Sequence, residues 1–320
     1  MRNGGAEDQL LSGPKTEKKA SPSSARTGNG YGLRSLLGTA IDVFHGDRMG
    51  QAGIVIFGAF LVTGIFAPWI APHEPGERIR GEDGTLESLE SPSADHLFGT
   101  TFQGRDVFSQ TVISTRVSLV VGLLAAFMSV FIGTNIGLIS GYKGGWTDDV
   151  LMRLTDLVYG MPFLPFVIVL VVLLGADLFN IIIAIALIQW RQSARVIRSQ
   201  VLSLKERPFI ESAKTAGASD LRVMYVHILP NVIPLTFLYA AFAVAFAIIF
   251  EASIAFLGYG DTEMYSWGRM IFTVYNNGLI REAWWWVIPP GVAIMLSVMS
   301  VFFIGRTLEK VANPDLGGEV

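Results

Sequence analysis

Six stretches of the sequence, near 51–71, 117–139, 150–174, 178–197, 235–257 and 284–305, are apolar over the roughly 20 residues that an α-helix needs to cross a hydrocarbon core. In lipid every backbone N–H and C=O must be satisfied within the fold, so runs of this kind are helices. Hydrophobic residues make up 51% of the chain and charged residues 16%, which is too apolar a balance for a soluble domain of this length. The expected fold is an all-α polytopic membrane protein with six transmembrane helices. Arg191 and Arg195 cut the fourth run short after Trp190, and both are expected to snorkel to the membrane interface.

Basic residues set the expected orientation. Of the 24 Lys and Arg residues, all but Arg78, Arg80, Arg105, Arg116, Arg269 and Arg281 fall on one side of a six-span arrangement. The positive-inside rule makes that side cytoplasmic and puts both termini there. The expected map is a cytoplasmic tail over 1–50, disordered in its first part, and a first helix over 51–71. An external loop follows over 72–116, then a five-helix core over 117–306 that carries a cytoplasmic loop at 198–234, and a cytoplasmic tail over 307–320. The first apolar run begins after about 50 mainly polar residues and reads as an uncleaved anchor. The external loop is acidic, with Glu74, Glu77, Glu82, Asp83, Glu87, Glu90, Asp95 and Asp106 against three arginines. It is either a solvated segment or a surface for an external partner.

One polar stretch interrupts the apolar pattern. Glu211–Pro230 reads as two short helices joined at Gly217, which can take the left-handed conformation that ends a helix, with Ser219 or Asp220 capping the second. Pro230 and Pro234 bound the start of the following span. The stretch is an outward-facing arm or an ordinary interfacial amphipathic linker.

Chemistry inside the membrane is sparse. The chain has no cysteine, its four histidines lie outside the apolar runs, and there is no GxxxxGK[ST] phosphate loop. No catalytic residue, metal site or cofactor is expected, and ATP is not bound by this chain. Glu251 lies within the fifth run; it lines a pathway or pairs with Arg105 or Arg269. Asp148, Asp149, Arg153 and Asp156 suit a local ion-pair ladder at the start of the third helix. Pro162, Pro165, Pro289 and Pro290 predict kinks, and Trp284–Trp286 with Trp69 suit an outer aromatic belt.

Glu211, Ala213, Gly217, Ile228, Leu229 and Pro230 match the cytoplasmic EAA loop of permease subunits of bacterial and archaeal ABC importers. HLFGT at 96–100, GRDV at 104–107, GYKGGWTDDVLMRLTDLVYGMP at 141–162, QVLSLK at 200–205, EASIAFLG at 251–258 and SWG at 266–268 resemble its dipeptide and oligopeptide branch. The resemblance runs from about Phe44 to Leu316, and it is to the permease type with a large external loop after its first helix. Ser212 departs from the EAA triplet but is small, and Thr101, Phe102 and Gln103 replace the acidic and small residues usual between the GT and GRD elements.

The resemblance implies a type I ABC importer permease that forms half of a heterodimeric pore for peptides or a similar small solute. Its partners would be a second permease subunit, two cytoplasmic ATP-binding subunits, an external solute-binding protein and the bilayer, with no nucleic acid. Coupling to the ATPase would fall to Glu211, Ser212, Ala213, Gly217, Ala218, Ser219, Asp220, Ile228, Leu229 and Pro230, with Gly217 at the tip of the arm. Glu211 would be a charged or helix-capping contact, or simply a solvated acid at a helix start. An ion-coupled carrier would instead show internal repeats and more buried ionisable groups. An intramembrane hydrolase would need a nucleophile and a base within the bilayer.

Overall fold

A computed structural model describes residues 43–312; the expectations for the tail up to residue 42 and for 313–320 lie outside the described residues. Every extended element among them is a helix. In chain order these are α1 (Arg48–Ile70), α2 (Val107–Lys143), α3 (Gly145–Gly160) and α4 (Phe163–Leu174). Next come α5 (Leu178–Leu204), α6 (Pro208–Thr215), α7 (Asp220–Phe256), α8 (Trp267–Asn276) and α9 (Trp284–Ala312).

Of these, α1, α2, α7 and α9 are each long and apolar enough to cross a membrane. The expected third span is not one straight helix: α3 and α4 meet at an angle of 93°, so the spans number four, or five if the bent pair counts as one. The cause is local. Pro162 forces Met161 out of the helical region, to φ −82° and ψ 129°, and Gly160 before it weakens the last turn. The expected fourth span does fold, as α5, but Arg191, Arg195 and Arg198 on it keep it out of the apolar set. The second helix starts at Val107, ten residues before the apolar run, because Asp106 caps it by accepting from Ser109 N–H at 2.7 Å. Pro289 and Pro290 both lie inside α9 without ending it.

The closest helix pair is α2 with α5. Gly133, Gly137 and Gly141 recur every four residues along one face of α2. A Cβ on Gly133 would lie 2.4 Å from the Trp190 carbonyl oxygen, one on Gly137 2.5 Å from that of Ala194, and one on Gly141 2.8 Å from Val201 Cβ. Any side chain along this seam forces two backbones apart, which is how small residues let helices associate in lipid. Ion pairs flank it: Asp148 on α3 binds Arg198, and Asp156 binds Arg195. The expected ladder within α3 is therefore replaced by bonds that tie α3 across to α5.

Two apolar clusters mark opposite ends of α2. At its start, Val107 packs with Met270, Val274, Trp285 and Trp286. Near its finish, Leu138 packs with Ile197, Val201, Ile210, Val223 and Ile228. At the first of these, Trp285 and Trp286 are buried and Trp285 Nε1 donates to the Thr100 carbonyl at 3.2 Å, so these two are not an aromatic belt. Trp284 and Trp69 remain exposed, as do Val55 and Ile65 on α1. The start of α1 is tied to the end of α9 through Asp47, whose carboxylate accepts from Thr307 Oγ1 at 2.8 Å and Lys310 Nζ at 3.0 Å.

Candidate functional site

The arm is built as a short helix, a glycine turn and the start of a long helix. Pro208 opens α6 at a position whose N–H has no helical partner in any case. Gly217 adopts φ +83°, and Ala218 N–H closes back on the Ala213 carbonyl at 3.0 Å. Ser219 then caps α7 by accepting from Arg222 N–H at 3.4 Å. The expected second short helix does not end before Pro230: α7 runs on from Asp220 to Phe256. Val223–Ile228 has wider, π-type turns. The Pro230 ring would crowd the Val226 carbonyl in an ordinary turn, and the widening gives it room.

Three anchors hold the arm to the bundle. Ile210, Val223 and Ile228 are fully buried in the cluster around Leu138, Ile197 and Val201. Tyr142 Oη on α2 donates to Asp220 at 2.8 Å, and Tyr225 Oη donates to Asn135 Oδ1 at 2.7 Å. Met224 is buried beside these anchors, and most of the remaining arm residues face outward. Glu211, Ser212, Gly217, Ser219 and Asp220 are exposed, whereas Ala213, Ala218, Leu229 and Pro230 are half-buried. Pro208, Glu211, Ser212, Thr215 and Ala216 line one open groove along α6. Glu211 sits in the first turn of α6, where the helix dipole favours a negative charge. A Cβ added at Gly217 would meet nothing within 4 Å, so the tip is bare as well as left-handed.

Glu251 lies elsewhere. It is 4% exposed, and its carboxyl accepts from Ser118 Oγ on α2 at 3.2 Å and bonds Ser266 at the start of α8. Neither expected arginine reaches it: Arg105 donates to Tyr265 Oη at 3.2 Å, and Arg269 to the carbonyls of Asp261 and Met264. Nor is it open to water.

A cleft of about 380 Å³ opens toward the far end of α7 between Phe246 and Phe250, Tyr159, Phe163 and Gln189. Arg191 lines it, with its guanidinium 5.0 Å from the centre of the Tyr159 ring and Nη1 donating to the Ile188 carbonyl at 2.7 Å. It is half-buried over aromatic faces and does not extend away as a snorkelling side chain would.

The loop between α1 and α2 is not a merely solvated segment. Ile79 N–H donates to the Gly104 carbonyl at 2.7 Å and Thr100 N–H to that of Glu90 at 2.9 Å, so the chain doubles back on itself. At its centre His96 is buried, with Nε2 2.8 Å from Glu87 and Nδ1 3.4 Å from Asp106. A carboxylate oxygen accepts, so this geometry suits a ring protonated on both nitrogens. Burial pulls the His96 pKa down, but the bonds to Glu87 and Asp106 outweigh it and raise it above the ordinary histidine value. Glu87, Glu90 and His96 also bring one ligand atom each within 4.8 Å, a grouping that the expectation of no metal cluster did not foresee. In the geometry observed, Nε2 is already committed to Glu87. The signal for this clasp was the HLFGT and GRDV pair, whose His96 and Asp106 meet here.

The sequence matches the family described as binding-protein-dependent transport system inner membrane component over residues 133–313. Residues 35–92 match the N-terminal transmembrane domain of oligopeptide transport permease C. The oligopeptide transport system permease protein OppC of Haemophilus influenzae is 36% identical over 282 residues, covering 88% of this chain and 89% of that protein. The dipeptide transport system permease protein DppC of Bacillus subtilis is 35% identical, covering 84% and 83%. The probable D,D-dipeptide transport system permease protein DdpC of Escherichia coli is 32% identical, covering 87% and 91%.

Proposed function

The chain belongs to the inner-membrane components of binding-protein-dependent transport systems, the membrane-spanning permeases of ABC importers, and from that premise we propose that it carries short peptides. Peptide transport is named for the relatives, and the carriage of peptides by this chain rests on their similarity over most of its length. The permease would pair with a second permease subunit to enclose the pathway. It would take solute from an external binding protein and draw energy from two ATP-binding subunits.

The observation that carries the coupling assignment is the arm, whose outward face is exposed while Ile210, Val223 and Ile228 fix it to the bundle. The groove along α6, with Glu211, Ser212 and Thr215, is the surface offered to an ATPase subunit. Ala213, Gly217, Ala218, Ser219 and Asp220 shape the turn beside it, and Ile228, Leu229 and Pro230 join it to the long helix. Both termini and the arm would be cytoplasmic, with the 72–116 loop outside, in agreement with the Lys and Arg asymmetry. Glu251 is assigned to the external part of the pathway, where it acts through Ser118 and Ser266.

The experiment is reconstitution of the complex from co-expressed permeases and ATPases in proteoliposomes with the binding protein. ATP-dependent uptake of labelled di- and tripeptides is expected; uptake of other solutes and no peptide would refute the peptide assignment. Glu251→Gln at unchanged abundance should lower uptake. A parallel fall in abundance and uptake would make Glu251 structural.

A further inference from the structure

We propose that a cavity at the loop end of the bundle receives the terminal carboxylate of the transported solute, with Arg105, Arg269 and Trp286 supplying the donors; the solute class rests on the peptide assignment above. The cavity, about 260 Å³, is walled by Gln103 and Arg105 from the loop, Gln110 from α2, Tyr265 and Arg269 from the α8 region, and Trp286 from α9. Three stretches distant in sequence, 101–110, 265–273 and 286, therefore converge on it, at the opposite end of α2 from the arm.

The wall is rich in donors and carries no acid. Arg105 Nε and Trp286 Nε1 are buried there with no hydrogen-bond partner. Trp286 is 3% exposed, so its indole N–H cannot turn to water without opening the α8–α9 packing. A buried N–H without an acceptor is costly, and two of them on residues that wall one cavity, just behind its surface, point to an acceptor drawn in there. Both guanidinium groups are also without a carboxylate. Among the described residues neither joins an ion pair; Arg105 spends Nη1 on Tyr265 Oη and Arg269 spends Nη1 on two backbone carbonyls. The nearby acid, Glu251, is bonded to Ser118 and Ser266 and forms no part of the wall.

A carboxylate offers two oxygens with lone pairs for charge-assisted bonds to such donors. The size of the cavity suits a carboxylate with its adjoining residue and not a whole peptide, because pockets that enclose drug-sized ligands begin at about 300 Å³. The rest of the solute would extend out of the mouth toward the binding protein or the second permease. Met270 and the Trp286 ring give the cavity an apolar side against which that first residue can pack.

The test uses the complete transporter in lipid nanodiscs without its binding protein, with radiolabelled dialanine and alanyl-alaninamide as probes in equilibrium dialysis. Dialanine is expected to bind at least tenfold more tightly than the amide. Arg105→Gln should weaken dialanine binding about tenfold, and Trp286→Phe, which keeps the ring and removes the donor, about threefold, with subunit assembly unchanged. Equal binding of dialanine and its amide, or of wild type and Arg105→Gln, would overturn the site. Undetectable dialanine binding by an intact wild-type complex would do the same, the carboxylate donors then serving an acidic side chain of the binding protein instead. A transporter that moves no peptide but binds dialanine through Arg105 refutes the peptide assignment and leaves the site standing. One that moves peptides while binding ignores Arg105 refutes the site alone.

Discussion

The arm around Gly217 and the loop around His96 occupy opposite ends of the bundle and are held by opposite means. The arm is fixed by apolar anchors beneath it, Ile210, Val223 and Ile228, with the Tyr142–Asp220 and Tyr225–Asn135 bonds beside them, and keeps Glu211 and Ser212 exposed. The loop turns its polar groups inward: His96 is enclosed by two carboxylates, and Asp106 and Thr100 are buried with their hydrogen bonds made internally. An element pinned from beneath leaves polar side chains at its surface. One that must hold its own shape consumes them.

Four perturbations would break or sharpen that contrast. The largest effect is expected from Gly217→Pro, because proline cannot adopt φ +83° and removes the N–H that bonds the Lys214 carbonyl at 2.9 Å. ATP-dependent uptake should fall at least tenfold, in order of magnitude, while membrane abundance stays unchanged; normal uptake would remove the arm from coupling. Next is His96→Ala, which removes the shared partner of Glu87 and Asp106, leaving Asp106 only its Ser109 donors, and should cost about 3–5 kcal/mol, as breaking a buried ion pair does. Protease cleavage between 80 and 100 should rise sharply with the arm still intact, and an unchanged cleavage pattern would show that the clasp is dispensable.

Ile210→Ala should cost about 2–4 kcal/mol by leaving a void under the arm, measured as faster cleavage near 205–220 with the loop unaffected. The smallest effect is that of pH. The folded pKa of His96 is raised, so its stabilising contribution is complete below the unfolded value of about 6.5 and is lost as pH climbs through the folded one. Protection of the loop from protease should therefore decline as pH rises above about 6.5, and His96→Gln should flatten that profile. A wild-type profile that is already flat would place the stability of the loop elsewhere.

The arm was legible in the sequence because its features are local: a glycine with no left-handed rival, a serine cap and a change of polarity. Its continuity into α7 was not, since Pro230 looks like a terminator until π-type turns absorb it. The break at Pro162 carried a local signal, but the size of the bend depends on packing. The clasp and the carboxylate cavity were opaque for a different reason. His96 meets partners nine and ten residues away, while Arg105 and Trp286 are brought together from opposite halves of the chain. Apolar periodicity says nothing about such meetings. The glycine seam on α2 was visible as a four-residue repeat, but only the nearness of the Trp190, Ala194 and Arg198 backbones gives it meaning.

Because α7 runs unbroken from the glycine turn to the floor of the loop end, the two extremities of the molecule share one rod of about 55 Å at 1.5 Å per residue. On a rod of that length a tilt of about 5° at Asp220 swings the far end by roughly 5 Å, nearly one helical turn's rise. A displacement at one surface is then felt at the other provided the helices packed along α7 tilt with it. The same geometry sets a limit: substitutions that soften the wide turns over Val223–Ile228 would let the rod flex near its base, and the swing would be dissipated there.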